Sequence, residues 1–335
     1  MTEKPALKFD KCFQNDDYVL LFNTRNGFEV LQGVNGKKDP FVLELPSLLD
    51  IGIMGTCVHK CKICYQGHED KPNMTLDNFK RIIDEVAHHV NQVALGGRGD
   101  PNKHENFQQI VEYCRESGVV PNYTTSGINL TPKEVEISKM CGAVAVSAYE
   151  RDFTYEAINS FTDANIKTNI HFVLSRDTYY RAIHILRGVY SWGDLIDIKK
   201  VNAIIFLLFK PQGAARDMTE LIPTEYQLES FAKNIFNPDI KIKVGMDSCL
   251  VNHVTRFHTP TELQSMCLDT CEGARMSAYI SPDTKFMPCS FADDSVWSEK
   301  ISEYRTITDI WHSSTPFTLF RRMLKEQNKQ CPLYL

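Results

Sequence analysis

No stretch of this 335-residue chain approaches the ~20 consecutive apolar residues that cross a bilayer. The opening MTEKPALKFDKC is polar where a secretory signal carries an apolar core, so a cytoplasmic protein without a membrane span is expected. Basic residues are not in excess: 37 Lys and Arg stand against 42 Asp and Glu, a formal charge of −5. That argues against a nucleic-acid partner held by bulk positive charge. No internal repeat and no low-complexity tract is present, which excludes solenoids and arrays. The chain is too long for a mini-protein stapled by disulfides, and 43% apolar with 24% charged residues leaves little room for extensive disorder.

Cysteine is abundant: there are eleven, an odd number in a chain read as cytoplasmic, where thiols stay reduced. Metal ligation or chemistry explains such a set better than disulfides. Cys57, Cys61 and Cys64 fall within eight residues, and Cys249, Cys267, Cys271, Cys289 and Cys331 crowd the last third. Cys12, Cys114 and Cys141 stand alone and read as small buried hydrophobes.

Residues 1–47 mix short apolar runs with turn signals such as Asn23–Gly27 and Asn35-Gly36, a β-rich lead-in from which no catalysis is expected. From residue 48 strand-like runs alternate with helix-like stretches. The runs are Leu48–Met54, Gln92–Leu95, Val119–Thr124, Ala143–Ser147, Lys167–Leu174 and Ala203–Phe209. Phe79, Ile82, Ile83, Val86 and Val90 behind Thr75 repeat at helical spacing, and Thr131-Pro132 opens another helix. Six apolar strands, each followed by a helix, describe a parallel sheet covered by its crossovers, too few for a closed eight-stranded barrel. Ligands of such sheets bind at the carboxyl ends of the strands. After Ile242–Met246 the strands shorten, with Ala278–Ile280 and Lys285–Met287 as a hairpin around Ser281–Thr284 and a final helix expected from Thr308 to Gln327.

Directly after the first of these strands comes Gly55-Thr56-Cys57-Val58-His59-Lys60-Cys61-Lys62-Ile63-Cys64-Tyr65. Three thiolates cannot fill a four-coordinate structural site, but they can hold three corners of a four-iron cluster and leave the fourth iron open. A zinc knuckle that borrows His59 or His68 is the competing reading, although His59 reads more simply as solvated. C-x3-C-x2-C in a loop after the first strand resembles the signature of the radical S-adenosylmethionine (SAM) superfamily. That resemblance implies an α/β fold, a partial (β/α)6 TIM-like barrel over residues 48–238. Cys57, Cys61 and Cys64 would hold a [4Fe-4S] cluster whose open iron chelates SAM, and Ile63 would lie against the adenine. The segment Gly96-Gly97-Arg98-Gly99-Asp100 resembles the family's G-G-E segment, with Arg98 in the place of Glu and Asp100 as a candidate replacement acid. Thr125 and Ser126 at the end of the third strand, Ser147 closing the fourth and Asn169 in the fifth are the remaining candidate SAM contacts. His171 reads as packed, and Lys210 after the sixth strand as an anion binder or a solvated cation.

The C-terminal cysteines, one with Gly two residues on and one in a Pro-Cys pair after a hairpin, resemble the SPASM or twitch extensions behind many radical SAM cores. This implies a small cysteine-rich extension of hairpin and helix over residues 239–335. One auxiliary [4Fe-4S] cluster on Cys249, Cys271, Cys289 and Cys331 is expected, because the C-x2-C-x5-C-x3-C run of a two-cluster extension is missing. A four-thiolate zinc site is not separable from it by sequence. Cys267 is then the spare thiol, and Cys249 or Cys267 could return a hydrogen atom to a substrate radical. The family implies reductive cleavage of SAM by an iron–sulfur enzyme served by a flavodoxin- or ferredoxin-type electron donor. A peptide or protein substrate is favoured, modified by epimerisation or crosslinking. A small metabolite, a methyl or aminocarboxypropyl transfer, and a non-enzymatic iron–sulfur or zinc sensor are the alternatives.

Overall fold

The structure, a computed structural model, describes residues 8–190, 192–328 and 330–333. The first seven residues of the expected lead-in, Ser191 in the barrel, and Lys329 and residues 334–335 of the expected extension lie outside the described residues. The lead-in forms β1 (Lys11–Gln14), β2 (Tyr18–Phe22) and β3 (Glu29–Gly33), an antiparallel sheet in that order. Tyr18 and Leu20, alternating along β2, pack with Leu43 into a small core of their own. This sheet grips the amino-terminal end of the larger one. Lys11 Nζ donates to the carbonyls of Ala87 and Val90, and the Glu29 carboxylate receives Ser47 Oγ and Asn91 Nδ2.

The larger sheet begins β4 (Leu48–Met54), α1 (Leu76–Val86), β5 (Gln92–Gly97), α2 (Phe107–Glu116), β6 (Val120–Thr125), α3 (Pro132–Ser138) and β7 (Val144–Ser147). It continues α4 (Asp152–Asp163), β8 (Thr168–Leu174), α5 (Tyr179–Leu186), β9 (Ala203–Leu208), α6 (Glu225–Ile235), β10 (Val244–Met246), α7 (Ser248–Val254) and α8 (Glu262–Ser265). The last part is β11 (Ser277–Ile280), β12 (Lys285–Met287), α9 (Asp294–Trp297), β13 (Glu299–Lys300), α10 (Ile307–Ser313) and α11 (Thr315–Glu326). The spatial order is β10-β9-β8-β7-β6-β5-β4-β11-β12-β13, parallel from β10 through β11 and antiparallel beyond.

The helices form where their caps and apolar spacing place them. Thr75 accepts from Asn78 N to start α1, which buries Phe79, Ile82, Ile83 and Val86, and Thr131 and Glu134 close a capping box on α3. Strand residues facing the helices, such as Tyr123, Ile170, Phe172 and Phe206, are buried. The alternate positions Asp50, Asn122, Thr124, Asn169 and His171 are only half-buried and give the inner face a polar lining. The expected final helix is two helices. Pro316 lacks the N–H that would carry one helix through, and buried Ser314 caps the second, its Oγ facing Phe317 N. The sheet also runs across residue 238: β10 pairs with β9, and β11 comes back to pair with β4.

Candidate active site

The cysteine loop leaves β4 at Met54 and is closed at its base, where Gly55 N donates to Asn73 Oδ1 and Lys71 N to the Gly55 carbonyl, both at 2.9 Å. The glycine turn after β5 is pressed against it. Arg98 N donates to the Met54 carbonyl at 2.9 Å. Gly97 sits at φ +111°, and a Cβ there would run into that same carbonyl; a Cβ on Gly99 would run into the carbonyl of Thr56. Cys64 N donates to the Cys61 carbonyl at 3.1 Å, and Ala214 N to the Cys64 carbonyl at 2.8 Å, which fixes the turn that carries both thiols.

Cys57, Cys61 and Cys64 are free and half-buried. Burial pushes the Cys57 thiol up, with the charges of Asp100, Cys61 and Cys64 adding to it, and burial does the same to Cys64. Tyr149 Oη lies 3.7 Å from Cys61 Sγ. His59 is packed rather than solvated: its ring lies against Tyr149 and Phe153, and its Nε2 is 3.4 Å from Ser126 Oγ. Ser126 N donates to Asp100 Oδ1 at 2.7 Å, and its hydroxyl bonds the other carboxylate oxygen. Gly96, near the end of β5, faces open space where a Cβ would point. Three thiols, a bare glycine backbone and an Asp100–Ser126 pair therefore meet at the carboxyl ends of β4, β5 and β6. Three soft donors suit a cluster that leaves one iron open, and the bare backbone suits a ligand bound at that iron.

Two expected contacts do not point there, and a third is engaged elsewhere while remaining near the thiols. The Arg98 side chain is 6% exposed and pairs with Asp70, Nη1 to Oδ1 at 2.9 Å, its charge still reaching Cys64. Thr125 is buried, with its hydroxyl accepting from Gly127 N. Asn169 is the second residue of β8, at the opposite end from Leu174, and its side-chain oxygen is taken by Asn202 at 2.7 Å. Ser147 does close β7 and aligns with His171, whose imidazole burial holds at about 4 and therefore neutral at pH 7. Sequence reading overlooked Asp50, on the inner face of β4, whose carboxyl burial pushes up to about 7. A lone Asp in a strand otherwise rich in Leu, Ile and Met was the available signal.

A second thiol group lies where the extension meets the barrel. Cys271 and Cys331 share a thiol–thiol hydrogen bond, and Cys249 and Cys289 lie close enough for their charges to act on Cys271. Burial pushes Cys289 up to about 12 and Cys249 higher still, so binding metal there displaces protons. These are the four thiols expected to act together; Cys267 is exposed and outside the group. Among the described residues no three His, Cys, Asp or Glu side chains sit at single-ion spacing. The two thiol groups are joined by an aromatic contact. Tyr65, next to Cys64, packs on Phe291 at 4.5 Å between ring centroids, and Phe291 N donates to Cys289 Sγ at 3.5 Å. Lys210 is neither solvated nor free to bind an anion: it is 5% exposed and paired with Asp247 at 2.7 Å. Its own burial disfavours the charge, but Asp247 and the neighbouring Cys249 outweigh that and hold its pKa above the usual lysine value.

Two family models match the chain. One, described as the radical SAM superfamily, spans residues 51–189, and the other, SPASM, described as an iron–sulfur cluster-binding domain, spans residues 271–332. The chain belongs to the radical SAM superfamily. It is an iron–sulfur enzyme that uses a [4Fe-4S] cluster and SAM, and its SPASM region implies auxiliary iron–sulfur binding in place of zinc. Mycofactocin maturase MftC of Mycolicibacterium smegmatis is 23% identical over 312 residues, 85% of this chain and 74% of that protein. A tungsten-containing aldehyde ferredoxin oxidoreductase cofactor-modifying protein of Pyrococcus furiosus is 26% identical over 87 residues, 25% of this chain and 24% of that protein. Among solved structures, Streptococcus suis SuiB bound to precursor peptide SuiA superposes with a TM-score of 0.68 at 14% identity, covering 92% of this chain and 90% of that one. An anSMEcpe structure with bound AdoMet and the Cp18Cys peptide gives 0.62 at 15% identity, covering 86% and 87%. These likenesses carry the partial-barrel fold. Among the described residues no helix is long and apolar enough to cross a membrane.

Proposed function

We propose that this radical SAM enzyme modifies a peptide or protein, by epimerisation or by carbon–carbon or thioether crosslinking. The observation that carries the reading is likeness over 92% of the chain to a structure holding a precursor peptide, together with a maturase relative over 85% of the chain. The division of labour is a lead-in over residues 1–47, a radical SAM barrel over 48–238 and an auxiliary-cluster extension over 239–335. Cys57, Cys61 and Cys64 hold the first cluster, and Cys249, Cys271, Cys289 and Cys331 hold an auxiliary one. When bound, the first cluster and SAM supply reductive cleavage of the sulfonium to a 5′-deoxyadenosyl radical that takes a hydrogen atom from substrate.

The remaining work belongs to this chain. The backbone at Gly96 and Gly97 admits the methionyl end of SAM, and the Asp100 carboxylate, held by Ser126, offers acceptors to its ammonium. Ile63 covers the adenine and Ser147 closes the far wall. The His59 ring packs on Tyr149, whose hydroxyl contacts Cys61, so these side chains hold the loop in place. A flavodoxin- or ferredoxin-type protein delivers the electron.

The test is to give the reconstituted enzyme, SAM and dithionite a library of short synthetic peptides and a panel of small alcohols. Peptide products that have lost two hydrogens in mass, or that take up solvent deuterium at one α-carbon, are expected. Turnover of the alcohols with none of the peptides would replace the peptide reading with metabolite dehydrogenation.

A further inference from the structure

Lys210 and Asp247 form a buried ion pair beside the four-thiol group. The ammonium is 2.7 Å from Asp247 Oδ2, donates to the Leu208 carbonyl at 3.3 Å and lies 4.0 Å over the Phe291 ring. Each partner of the pair is tied to a cysteine of the group. Asp247 caps α7, the helix that carries Cys249, its Oδ1 accepting from Leu250 N at 2.9 Å. Phe291, under Lys210, donates its N–H to Cys289 Sγ. The Lys210 charge acts on both Cys249 and Cys289, and Asp247 acts on Cys249 in the opposite sense. A buried ion pair stabilises a fold little more than apolar residues of the same volume do, so stability alone does not account for this one.

We propose that Lys210 and Asp247 are positioning residues that set the reduction potential of the auxiliary four-iron cluster, Lys210 raising it and Asp247 lowering it. This rests on the assignment of Cys249, Cys271, Cys289 and Cys331 as that cluster's ligands. A cube bound by four thiolates is already negative, and taking up one electron from a reductant adds one more negative charge. A fixed cation at its edge favours the reduced state and a fixed carboxylate disfavours it. Neither side chain needs to touch iron for this. Cys249 and Cys289 also favour a charged Lys210, so the two substitutions are expected to have opposite signs.

The experiment uses the full chain carrying Cys57→Ala/Cys61→Ala/Cys64→Ala, so that the auxiliary cluster alone is reconstituted, titrated with dithionite and followed by electron paramagnetic resonance. Lys210→Met is expected to make reduction harder by roughly tenfold in the equilibrium constant, about 59 mV for one electron. Asp247→Asn, which keeps the helix cap, is expected to shift it the other way, and the double variant to return near the parent. Unchanged potentials, shifts of the same sign, or equal loss of iron from both single variants would overturn the proposal. Absence of about four irons in the parent triple variant would instead overturn the ligand assignment.

Discussion

Asp50 has no apolar reason to stand in β4, and its titration gives the residue a measurable signature. Burial lifts its carboxyl from the usual 3.8 to about 7. The folded chain therefore holds a proton that the unfolded chain releases, and stability falls as pH rises from about 4 to about 7, the full cost being present above that window. Asp50→Asn removes the cost. Its melting temperature should exceed that of the parent at pH 8 and match it at pH 4; an equal difference at both values would show that Asp50 does not titrate in this window. Asp50 was legible as an oddity but not as a site, because its inward direction follows from which face of β4 the helices cover. Lys210 was legible as a strand-end cation. That it faces the extension depends on Asp247, which lies 37 residues further on.

At the scale of elements, the cysteine loop and the glycine turn after β5 act as one unit. The spacing of Cys57, Cys61 and Cys64, the strand before them and the bare Gly96-Gly97 pair were all visible in sequence, since each depends on neighbours within a few residues. The packing of His59 on Tyr149 and of Tyr65 on Phe291 was not, because it joins segments far apart in the chain. Gly99 is one of its tight points, where an added Cβ would run into the Thr56 carbonyl. Gly99→Ala should push the loop aside, lower the iron bound by its cysteines and cut SAM cleavage by about a hundredfold while the far-ultraviolet dichroism stays unchanged. Wild-type cleavage in that variant would mean that the contact does not position the cluster. The break between α10 and α11 was written in Pro316, but the apolar spacing that runs through it suggested one helix.

Across the whole molecule, the lead-in holds the amino-terminal end of the sheet, the cysteine loop crowns the opposite end, and the extension completes the edge of β4. The six βα units were readable because parallel strands covered on their outer face by helices are rich in apolar residues. The return of β11 to β4 was not, since it joins residues 277–280 to 48–51. That pairing makes the extension part of the fold. A chain ending at residue 270 would expose the edge of β4 and lose the buried Phe286, Trp311, Phe317 and Phe320. It should be insoluble or aggregate on expression, and a soluble, cooperatively melting truncation would show that the barrel folds without the extension.

The most direct measurement compares anaerobically reconstituted wild type with Cys57→Ala/Cys61→Ala/Cys64→Ala, counting iron and sulfide and assaying 5′-deoxyadenosine after dithionite and SAM. About eight irons per chain should fall to about four, with the product lost entirely. Undiminished 5′-deoxyadenosine from the triple variant, or none from wild type carrying its full iron, would contradict the assignment of these three cysteines to the radical chemistry.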